Sequence, residues 1–252
     1  MNSSIKPEVG ALDTSKGVAI YSPVVLRFLY DRFVLGVYFP YAWRCPTRTE
    51  LIPFFKNNVS PEALPSSTPH ATQRRLLDIG VGTGYFLEKA PLNNVSDLIL
   101  VDLNPNCLDA ASARARKAHP YLACSTVQAD FLASGGLLLD SVGGNKFDAI
   151  SVMLLLHCLP GPPSCKVSAL VNLKNLLKKD NGVLFGATIL GQGFPHNLFG
   201  RFLMWWHNSK GIFDNREDGV ASFVKPLQNA FEDVRYRVVG TVLLFEARGP
   251  KV

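Results

Sequence analysis

The sequence of 252 residues lacks several features that would assign it quickly to a class of protein. Its five cysteines are odd in number and include no Cys-x-x-Cys pair and no Cys/His ligand spacing. A disulfide framework and a zinc site are therefore unsupported, and reduced thiols indicate a cytoplasmic protein. The N-terminus MNSSIKPEVG has no apolar signal segment, and no apolar run reaches the roughly 20 residues of a membrane span. We expect no stable membrane insertion.

Charged residues are also scarce. They make up 18% of the chain, against 47% hydrophobic residues, which excludes a disordered protein. The formal net charge is +6, but the basic residues are scattered as short pairs and form no stripe. A nucleic acid is therefore not an expected partner.

The chain shows no internal repeat and divides into three parts. Residues 1–59 are rich in aromatic side chains, with a helix expected from Pro23 to Leu35. Residues 60–73 collect Pro and Ser, which is typical of an exposed linker. Residues 74–252 alternate between strand-like and helix-like patterns and are expected to form the core domain.

Short apolar runs that end in turn residues predict buried parallel strands in this core. They are RRLLDIG, LILVDL, STVQAD, FDAISVMLLL and GVLFGATIL. Helices are expected at Tyr85–Ala90, Asn104–His119 and Val167–Lys179. The final stretch VRYRVVGTVLLFEAR is interrupted at Gly240, too soon for a crossover helix, and predicts an antiparallel hairpin. The fold class is therefore α/β, a doubly wound sheet with helices on both faces.

The most informative segment is the glycine-rich turn DIGVGTGY from Asp78 to Tyr85. Glycines between a strand and a helix let backbone N–H groups approach a ligand at the positive end of the helix. A nucleotide phosphate loop would require Gly-Lys-Ser/Thr here, but the sequence has Gly-Tyr-Phe. A dinucleotide fingerprint is also disfavoured, because Gly84 comes one residue too early.

DIGVGTGYF resembles the first motif of class I S-adenosylmethionine-dependent methyltransferases. LILVDLNP, VQADFL, FDAISVMLLLHCL and NGVLFGATIL are similar to the later motifs, in the same order. The resemblance covers Arg74 to Arg248 and implies a Rossmann-like, mostly parallel sheet of seven strands with an antiparallel C-terminal end. The segment YSPVVLRFLYDRFVLGVYFPYAWRCPTRTEL also resembles a fungal and bacterial subgroup that modifies small metabolites.

This resemblance implies S-adenosylmethionine as cofactor and S-adenosylhomocysteine as product. Asp102 would accept hydrogen bonds from both ribose hydroxyls, Asp130 would accept from the adenine amino group, and Phe131 would flank the ring. Tyr21 or Arg44 would reach the methionine carboxylate. The expected cofactor-binding residues are Asp78, Gly80, Gly82, Gly84, Asp102, Leu103, Asp130, Phe131, Met153, Tyr21 and Arg44.

Each assignment also has a structural interpretation. Asp78 could simply stabilise the turn, Asp130 could cap a helix, and Met153 could pack in the core. His157 follows the fourth strand and is the candidate general base, although family members often carry a structural histidine at this position. His196 and His207 are its rivals.

Residues 191–214 lie between the fifth strand and the next helix, where this fold commonly inserts a lid over the substrate. Phe199, Phe202, Trp205 and Trp206 suit a hydrophobic acceptor, or else packing over the sheet. The aromatic N-terminal segment, including Trp43, could roof the cofactor pocket or pack in the core.

The predicted function is transfer of a methyl group from S-adenosylmethionine to a small, largely apolar molecule, preferably at oxygen. Catalysis could rest on alignment of the reactants and exclusion of water. A metal-dependent mechanism is disfavoured, because no carboxylates remain near the strand ends beyond those assigned to the cofactor. The alternatives are a methyltransferase-fold protein that catalyses a cyclisation or elimination, an RNA methyltransferase, and a protein-binding module without enzymatic activity.

Overall fold

The computed structural model describes residues 26–60, 74–133, 141–142 and 146–251. Its strands form one sheet in the order β3-β2-β1-β4-β5-β7-β6. Strands β1 to β5 are parallel, whereas β7 is antiparallel to both β5 and β6. The strands are β1 (Arg74–Ile79), β2 (Val95–Asp102), β3 (Ala123–Gln128), β4 (Ala149–Met153), β5 (Val183–Ile189), β6 (Phe231–Val239) and β7 (Val242–Pro250). The predicted parallel sheet with a terminal antiparallel hairpin is confirmed.

Helices cover both faces of this sheet. They are α1 (Leu26–Ala42), α2 (Thr47–Leu51), α3 (Ile52–Val59), α4 (Tyr85–Lys89), α5 (Pro105–Ala118), α6 (Pro163–Asn172), α7 (Leu198–Ser209) and α8 (Val220–Ala230). Short 3₁₀ turns follow β4 at Leu156–Cys158 and α6 at Leu173–Leu176.

Local sequence signals explain where two of these helices begin. Asn104 caps α5, where its side-chain oxygen accepts a hydrogen bond from the Asn106 N–H at 3.0 Å. Asn197 caps α7 in the same way and accepts from the Gly200 N–H at 2.7 Å. Asparagine is favoured at this position because its side chain satisfies an N–H group that the first helical turn leaves unpaired.

Three helix boundaries differ from the sequence prediction by several residues, one of them being the end of α6 at Asn172 instead of Lys179. Helix α1 continues past Leu35 to Ala42, because Phe39 and Ala42 are also buried in the core. Helix α6 begins at Pro163 rather than Val167, since proline is well suited to the first helical position.

Strand β3 is another departure, because it is not buried as predicted. It pairs with β2 alone and therefore forms one edge of the sheet. Ala123, Ser125, Thr126 and Gln128 are exposed. Its β-forming pattern indicated a strand correctly, but only the strand order determines which strand lies at an edge.

The core consists of two layers of apolar side chains, one on each face of the sheet. Leu76 and Leu98 pack on the face covered by α1 to α5 and α7. Leu77 and Ile99 pack on the opposite face, together with α6 and α8. This alternation follows from the two-residue period of a strand. The order of the strands along the sheet reverses between β1 and β4, the position at which open α/β sheets bind ligands beside the carboxyl ends of their strands.

The N-terminal helices are docked on the core. The Thr241 N–H donates to the Trp43 carbonyl oxygen at 2.9 Å, and Arg237 of β6 pairs with Glu50 at 2.5 Å. Most of the predicted linker, residues 61–73, lies outside the described residues. The division into an aromatic segment, a linker and a core domain stays a prediction.

Candidate active site

The glycine turn joins β1 to α4 in a left-handed backbone conformation. Gly80, Gly82 and Gly84 have φ values of 72°, 50° and 71°. The Gly80 N–H donates to the Val101 carbonyl at 2.8 Å, which holds the turn against the end of β2. Because residues with a Cβ rarely adopt these φ values, the repeated glycines are a requirement of the turn itself.

The three glycines serve different contacts. A Cβ on Gly80 would lie 2.8 Å from the Leu155 side chain, and one on Gly84 would lie 2.8 Å from the Ala111 backbone. A Cβ on Gly82 would meet no atom within 4 Å. Gly80 and Gly84 therefore permit close packing within the protein, whereas Gly82 faces open space.

Asp102 ends β2 directly beside this turn. Its carboxylate accepts hydrogen bonds from the Gly82 N–H at 3.4 Å and the Asn104 N–H at 2.9 Å. Burial raises the pKa of Asp102, and these backbone donors oppose the increase. A carboxylate has about four lone-pair positions, so Asp102 retains the capacity to accept from ligand hydroxyls.

Two further carboxyl groups lie at neighbouring strand ends. Burial raises the pKa of Asp78 to about 7, the charge of Asp102 contributes to the increase, and the Ser151 hydroxyl opposes it. Asp130 follows β3 and accepts from the Leu132 N–H at 2.9 Å, which orders the loop that carries Phe131.

A cavity of about 170 Å³ lies against these residues. Its lining includes the predicted residues Asp78, Gly80, Gly82, Gly84, Asp102, Leu103, Asp130, Phe131 and Met153. The structure thus brings together residues that are as many as 75 positions apart, from Asp78 to Met153, at the carboxyl ends of β1, β2, β3 and β4.

The rest of the cavity is mainly apolar, and the sequence prediction missed most of it. These residues include Leu35 of α1, Phe86 of α4, and Leu155, Cys158, Leu159 and Pro160 after β4. Nothing in the pattern around Leu35 distinguished a side chain that lines a cavity from one that packs in the core. The LLLHCLP run after β4 could have suggested an apolar wall, but several consecutive apolar residues are also typical of a buried strand end.

The charge of the lining has one sign. The described lining residues include three carboxyl groups, those of Asp78, Asp102 and Asp130, and no Lys, Arg or His. This distribution favours a ligand that carries positive charge and can donate hydrogen bonds.

The backbone turns at Leu154, where β4 leads into the apolar wall. Leu154 has a φ of 60°, in the left-handed region that a leucine rarely adopts, and its N–H donates to the Ala187 carbonyl at 2.8 Å. Such a conformation costs on the order of 1–3 kcal/mol and is found mostly at functional sites. The turn ends β4 and places Leu155 against Gly80.

Helix α1 is tied to the glycine turn. Asp31 accepts hydrogen bonds from the Thr83 hydroxyl at 2.7 Å and from Arg114 of α5 at 2.6 Å. One helical turn later, Leu35 lines the cavity. The N-terminal segment therefore supplies part of the cavity wall through Leu35, which is not among the residues predicted for that role.

Arg44 and Tyr21 were those predicted residues. Arg44 is exposed, and a Cβ on Gly240 would lie 2.7 Å from the Cβ of Arg44, which places it at the β6–β7 turn and not in the cavity lining. This placement does not support a contact with the cofactor. Tyr21 lies outside the described residues.

His157, the predicted base, is buried behind the cavity wall and is absent from its lining. Its ring packs edge-on against Phe213, with centroids 4.6 Å apart, and its Nδ1 lies 3.4 Å from the Thr188 hydroxyl oxygen. Burial lowers the pKa of His157 to about 3, and the charges of Lys166 and His207 contribute. A neutral, enclosed imidazole does not support proton transfer to a substrate, and His196 and His207 do not line the cavity either.

The segment 191–214 contributes no residue to the described cavity lining. Helix α7 turns Leu203 and His207 inward, where Tyr38 of α1 contacts the His207 ring at 6.2 Å between centroids. Phe202 and Trp205 are 55% and 63% exposed, whereas Phe199 and Trp206 are each 38% exposed. The predicted aromatic lid is therefore not closed over the cavity in this structure.

Within the ranges that the structure describes, no group of three or more His, Cys, Asp or Glu residues could hold a metal ion. Among the same residues, no helix combines the length and apolarity needed to cross a membrane.

Sequence comparison connects this chain to known proteins. A family described as "Methyltransferase domain" matches residues 50–238. The chain is 40% identical over 240 residues to a physcion biosynthesis cluster O-methyltransferase of Aspergillus chevalieri, covering 95% of this chain and 97% of that protein. It is 41% identical over 243 residues to methyltransferase verB of Penicillium polonicum, covering 92% of this chain and 97% of the relative.

Comparison with solved structures supports the fold. An O-methyltransferase family protein from Burkholderia thailandensis superposes with a TM-score of 0.52 at 16% identity, over 72% of this chain and 53% of that one. An O-methyltransferase family 2 protein from Planctomyces limnophilus superposes with the same TM-score and identity, over 79% of this chain and 56% of that one. The chain thus spans just over half the length of these two structures.

Proposed function

Because this chain belongs to the class I S-adenosylmethionine-dependent methyltransferases, we propose that it methylates a hydroxyl oxygen of a small, largely apolar metabolite. One observation carries the proposal. A single cavity combines carboxylates at the strand ends with an apolar wall from α1, α4 and the loop after β4.

The residues present fit the cofactor chemically. S-adenosylmethionine has a sulfonium and an ammonium group, a ribose diol and an adenine ring. The three lining carboxyl groups complement the positive charges, and no cation lies among the described lining residues. We assign Asp102 to the ribose hydroxyls, Asp130 and Phe131 to the adenine, and the backbone around Gly82 to the amino-acid end.

The chain's own contribution to the reaction is positioning and exclusion of water. When bound, S-adenosylmethionine supplies a methyl group activated by its attachment to a sulfonium. Holding an acceptor oxygen in line with that group replaces a bimolecular encounter with an intramolecular one. Leu35, Phe86 and Leu159 would keep water away from the acceptor.

Apart from the three carboxyl groups that we assign to the cofactor, no described lining residue is suited to act as a base on the acceptor. Cys158 is the polarisable group in the apolar wall, and burial raises the pKa of its thiol to about 12, so it remains protonated. We therefore infer that the acceptor hydroxyl is itself acidic, as in a phenol or enol, and loses its proton to solvent. The names of the O-methyltransferase relatives support oxygen as the acceptor atom.

The experiment combines product analysis with cofactor binding. The full chain is incubated with S-adenosylmethionine and a panel of phenols and enols, and products are examined by mass spectrometry and NMR. We expect a product heavier by one methyl group, with that group on oxygen. The reaction rate should follow the ionisation of the acceptor and not that of a histidine.

Asp97 lies on β2, the strand that Asp102 ends, and provides the control. Asp102→Ala should weaken S-adenosylhomocysteine binding in calorimetry at least about tenfold, since hydrogen bonds to a charged acceptor contribute about 1.5–3 kcal/mol. Asp97→Ala removes a carboxylate that pairs with Arg75 at 2.7 Å and should bind normally. A methylated nitrogen or carbon would contradict the oxygen assignment, and a product of unchanged mass would contradict methyl transfer altogether.

A further inference from the structure

Helix α7 presents an apolar face to solvent. Leu198, Phe202 and Trp205 are 82%, 55% and 63% exposed, and their spacing places them on one side of the helix. Tyr41, 68% exposed, lies next to the start of this helix, because the Asn197 side-chain amide donates to the Tyr41 carbonyl at 2.7 Å. Single exposed apolar residues are ordinary, but an adjoining group of this kind indicates a binding surface.

Internal packing does not account for these side chains. The opposite side of α7 already packs inward, with Gly200, Leu203 and His207 buried. Phe202 and Trp205 contact each other, at 6.2 Å between ring centroids. Neither residue lines the cavity.

The segment that carries this face has only positive charges. Residues 191–213 contain no Asp or Glu, whereas Arg201 on α7 and Lys210 directly after its end are exposed. Asp214 is the first acidic residue after this segment, and its carboxylate accepts from the Gly161 N–H at 2.8 Å. Aromatic and aliphatic residues beside Lys and Arg are the composition of helices that lie at the surface of a membrane.

We propose that this face, Tyr41 with Leu198, Phe202 and Trp205, docks on the surface of a membrane that contains anionic lipids. The aromatic rings enter the interface between headgroups and acyl chains, and Arg201 and Lys210 contact lipid phosphates. A symmetric dimer through the same face is less favourable, because its copies of Arg201 and Lys210 would meet with like charge.

Docking would bring α1 close to the membrane, because Tyr38 of α1 packs on Phe199 of α7 with centroids 5.8 Å apart. Leu35, one turn earlier in α1, lines the cavity. If the proposed function holds, an apolar acceptor dissolved in the membrane would have a short path to the active site.

The test is co-sedimentation of the full chain with lipid vesicles, which does not depend on methyl transfer. We expect binding to vesicles of phosphatidylcholine with phosphatidylserine, weaker binding to phosphatidylcholine alone, and loss of binding at high salt. The variant Phe202→Ala/Trp205→Ala should bind at least about tenfold more weakly, because it removes the two aromatic rings that docking would bury in the lipid interface. Arg201→Gln/Lys210→Gln should lose about fivefold per cation on the anionic vesicles.

Tyr121→Ala is the matched control, since Tyr121 is fully exposed in the turn between α5 and β3 and should not affect vesicle binding. Binding of S-adenosylhomocysteine by each variant verifies that it is folded. Absence of vesicle binding by the wild-type chain would overturn the proposal. So would a concentration-dependent dimer in analytical ultracentrifugation that Trp205→Ala abolishes, because the face would then be an interface between copies.

Discussion

At the scale of single residues, the glycine turn shows that one residue type meets two different demands. Gly84 lets α5 approach closely, because a Cβ there would lie 2.8 Å from the Ala111 backbone. A Cβ on Gly82 would have no atom within 4 Å, and Gly82 lines the cavity. Substitution at these two sites should therefore separate stability from cofactor binding.

Gly82→Ala should cost about 1–2 kcal/mol of unfolding free energy, the penalty of a Cβ in the left-handed region, and weaken S-adenosylhomocysteine binding at least about tenfold. Gly84→Ala should be clearly less stable, because it adds an overlap with Ala111 to the same penalty. Urea unfolding and calorimetry measure the two effects. Normal cofactor binding by Gly82→Ala would contradict the assigned position of the ligand.

Asp78 predicts a pH dependence. Its pKa of about 7 lies above the value of about 3.9 in an unfolded chain. At a pH between these two values, Asp78 is protonated in the folded protein and ionised in the unfolded chain, so folding takes up a proton. Asp78 should therefore contribute a decrease in the free energy of unfolding as pH rises from about 4 to 7, whereas buried His157, whose pKa is lowered to about 3, contributes an increase. Asp78→Asn should lack the contribution of Asp78, be more stable above pH 7 by on the order of 2 kcal/mol, and bind S-adenosylmethionine more weakly.

Urea unfolding of the cofactor-free protein across this pH range measures the stability, and calorimetry measures the binding. Asp180→Asn, which alters an exposed carboxylate, is the control and should follow the wild-type curve. An Asp78→Asn curve with the wild-type slope would show that Asp78 is not the group that takes up the proton.

At the scale of secondary-structure elements, a buried ion pair holds α6 to the connection between α7 and α8. Lys166 is completely buried, and its ammonium donates to both carboxylate oxygens of Asp218 at 3.1 and 2.9 Å and to the Asp214 carbonyl at 2.5 Å. This connection also carries Phe213, against which His157 packs. The pair therefore positions the chain that follows α7.

Lys166→Met should destabilise the protein by about 3–5 kcal/mol, since it leaves the Asp218 charge buried without a partner. The double variant Lys166→Met/Asp218→Leu should recover much of that loss. Lys178→Met removes the partly exposed pair with Asp148 at 2.9 Å and should cost no more than about 1 kcal/mol. Guanidinium unfolding of all three variants provides the comparison, and equal losses for Lys166→Met and Lys178→Met would contradict the special role of burial.

At the scale of the whole molecule, two of the ion pairs that attach the N-terminal helices to the core lie at separate places. Asp31 connects α1 to the glycine turn and α5, next to the cavity. Glu50 pairs with Arg237 of β6, among residues that do not line the cavity. Only the first attachment should influence the cofactor.

Asp31→Asn should weaken S-adenosylhomocysteine binding about fivefold, equivalent to about 1 kcal/mol, because Leu35 and the turn would no longer be held together. Glu50→Gln removes the other attachment and should leave affinity unchanged. Calorimetry compares the two, and limited proteolysis of α1 reports its release. Equal affinities of both variants would mean that α1 does not support the binding site.

Much of this protein was determined by the sequence alone. The doubly wound α/β architecture, the closing hairpin and the clustering of Asp78, Gly82, Asp102 and Asp130 at the strand ends follow from local patterns. Backbone conformation at a glycine and the two-residue period of a strand depend on neighbours only a few positions away. The parallel arrangement then brings the strand ends to one edge of the sheet.

Only the tertiary structure decided which distant segments meet that edge. Leu35 lines the cavity, whereas Arg44 lies at the β6–β7 turn and His157 lies behind the wall. The aromatic face of α7 and the exposure of β3 were likewise not evident from their residues. Burial of an apolar or aromatic side chain contributes a similar free energy in a core, a ligand site or an interface. The residue type alone therefore does not specify where the side chain lies. Long-range packing between elements makes that choice.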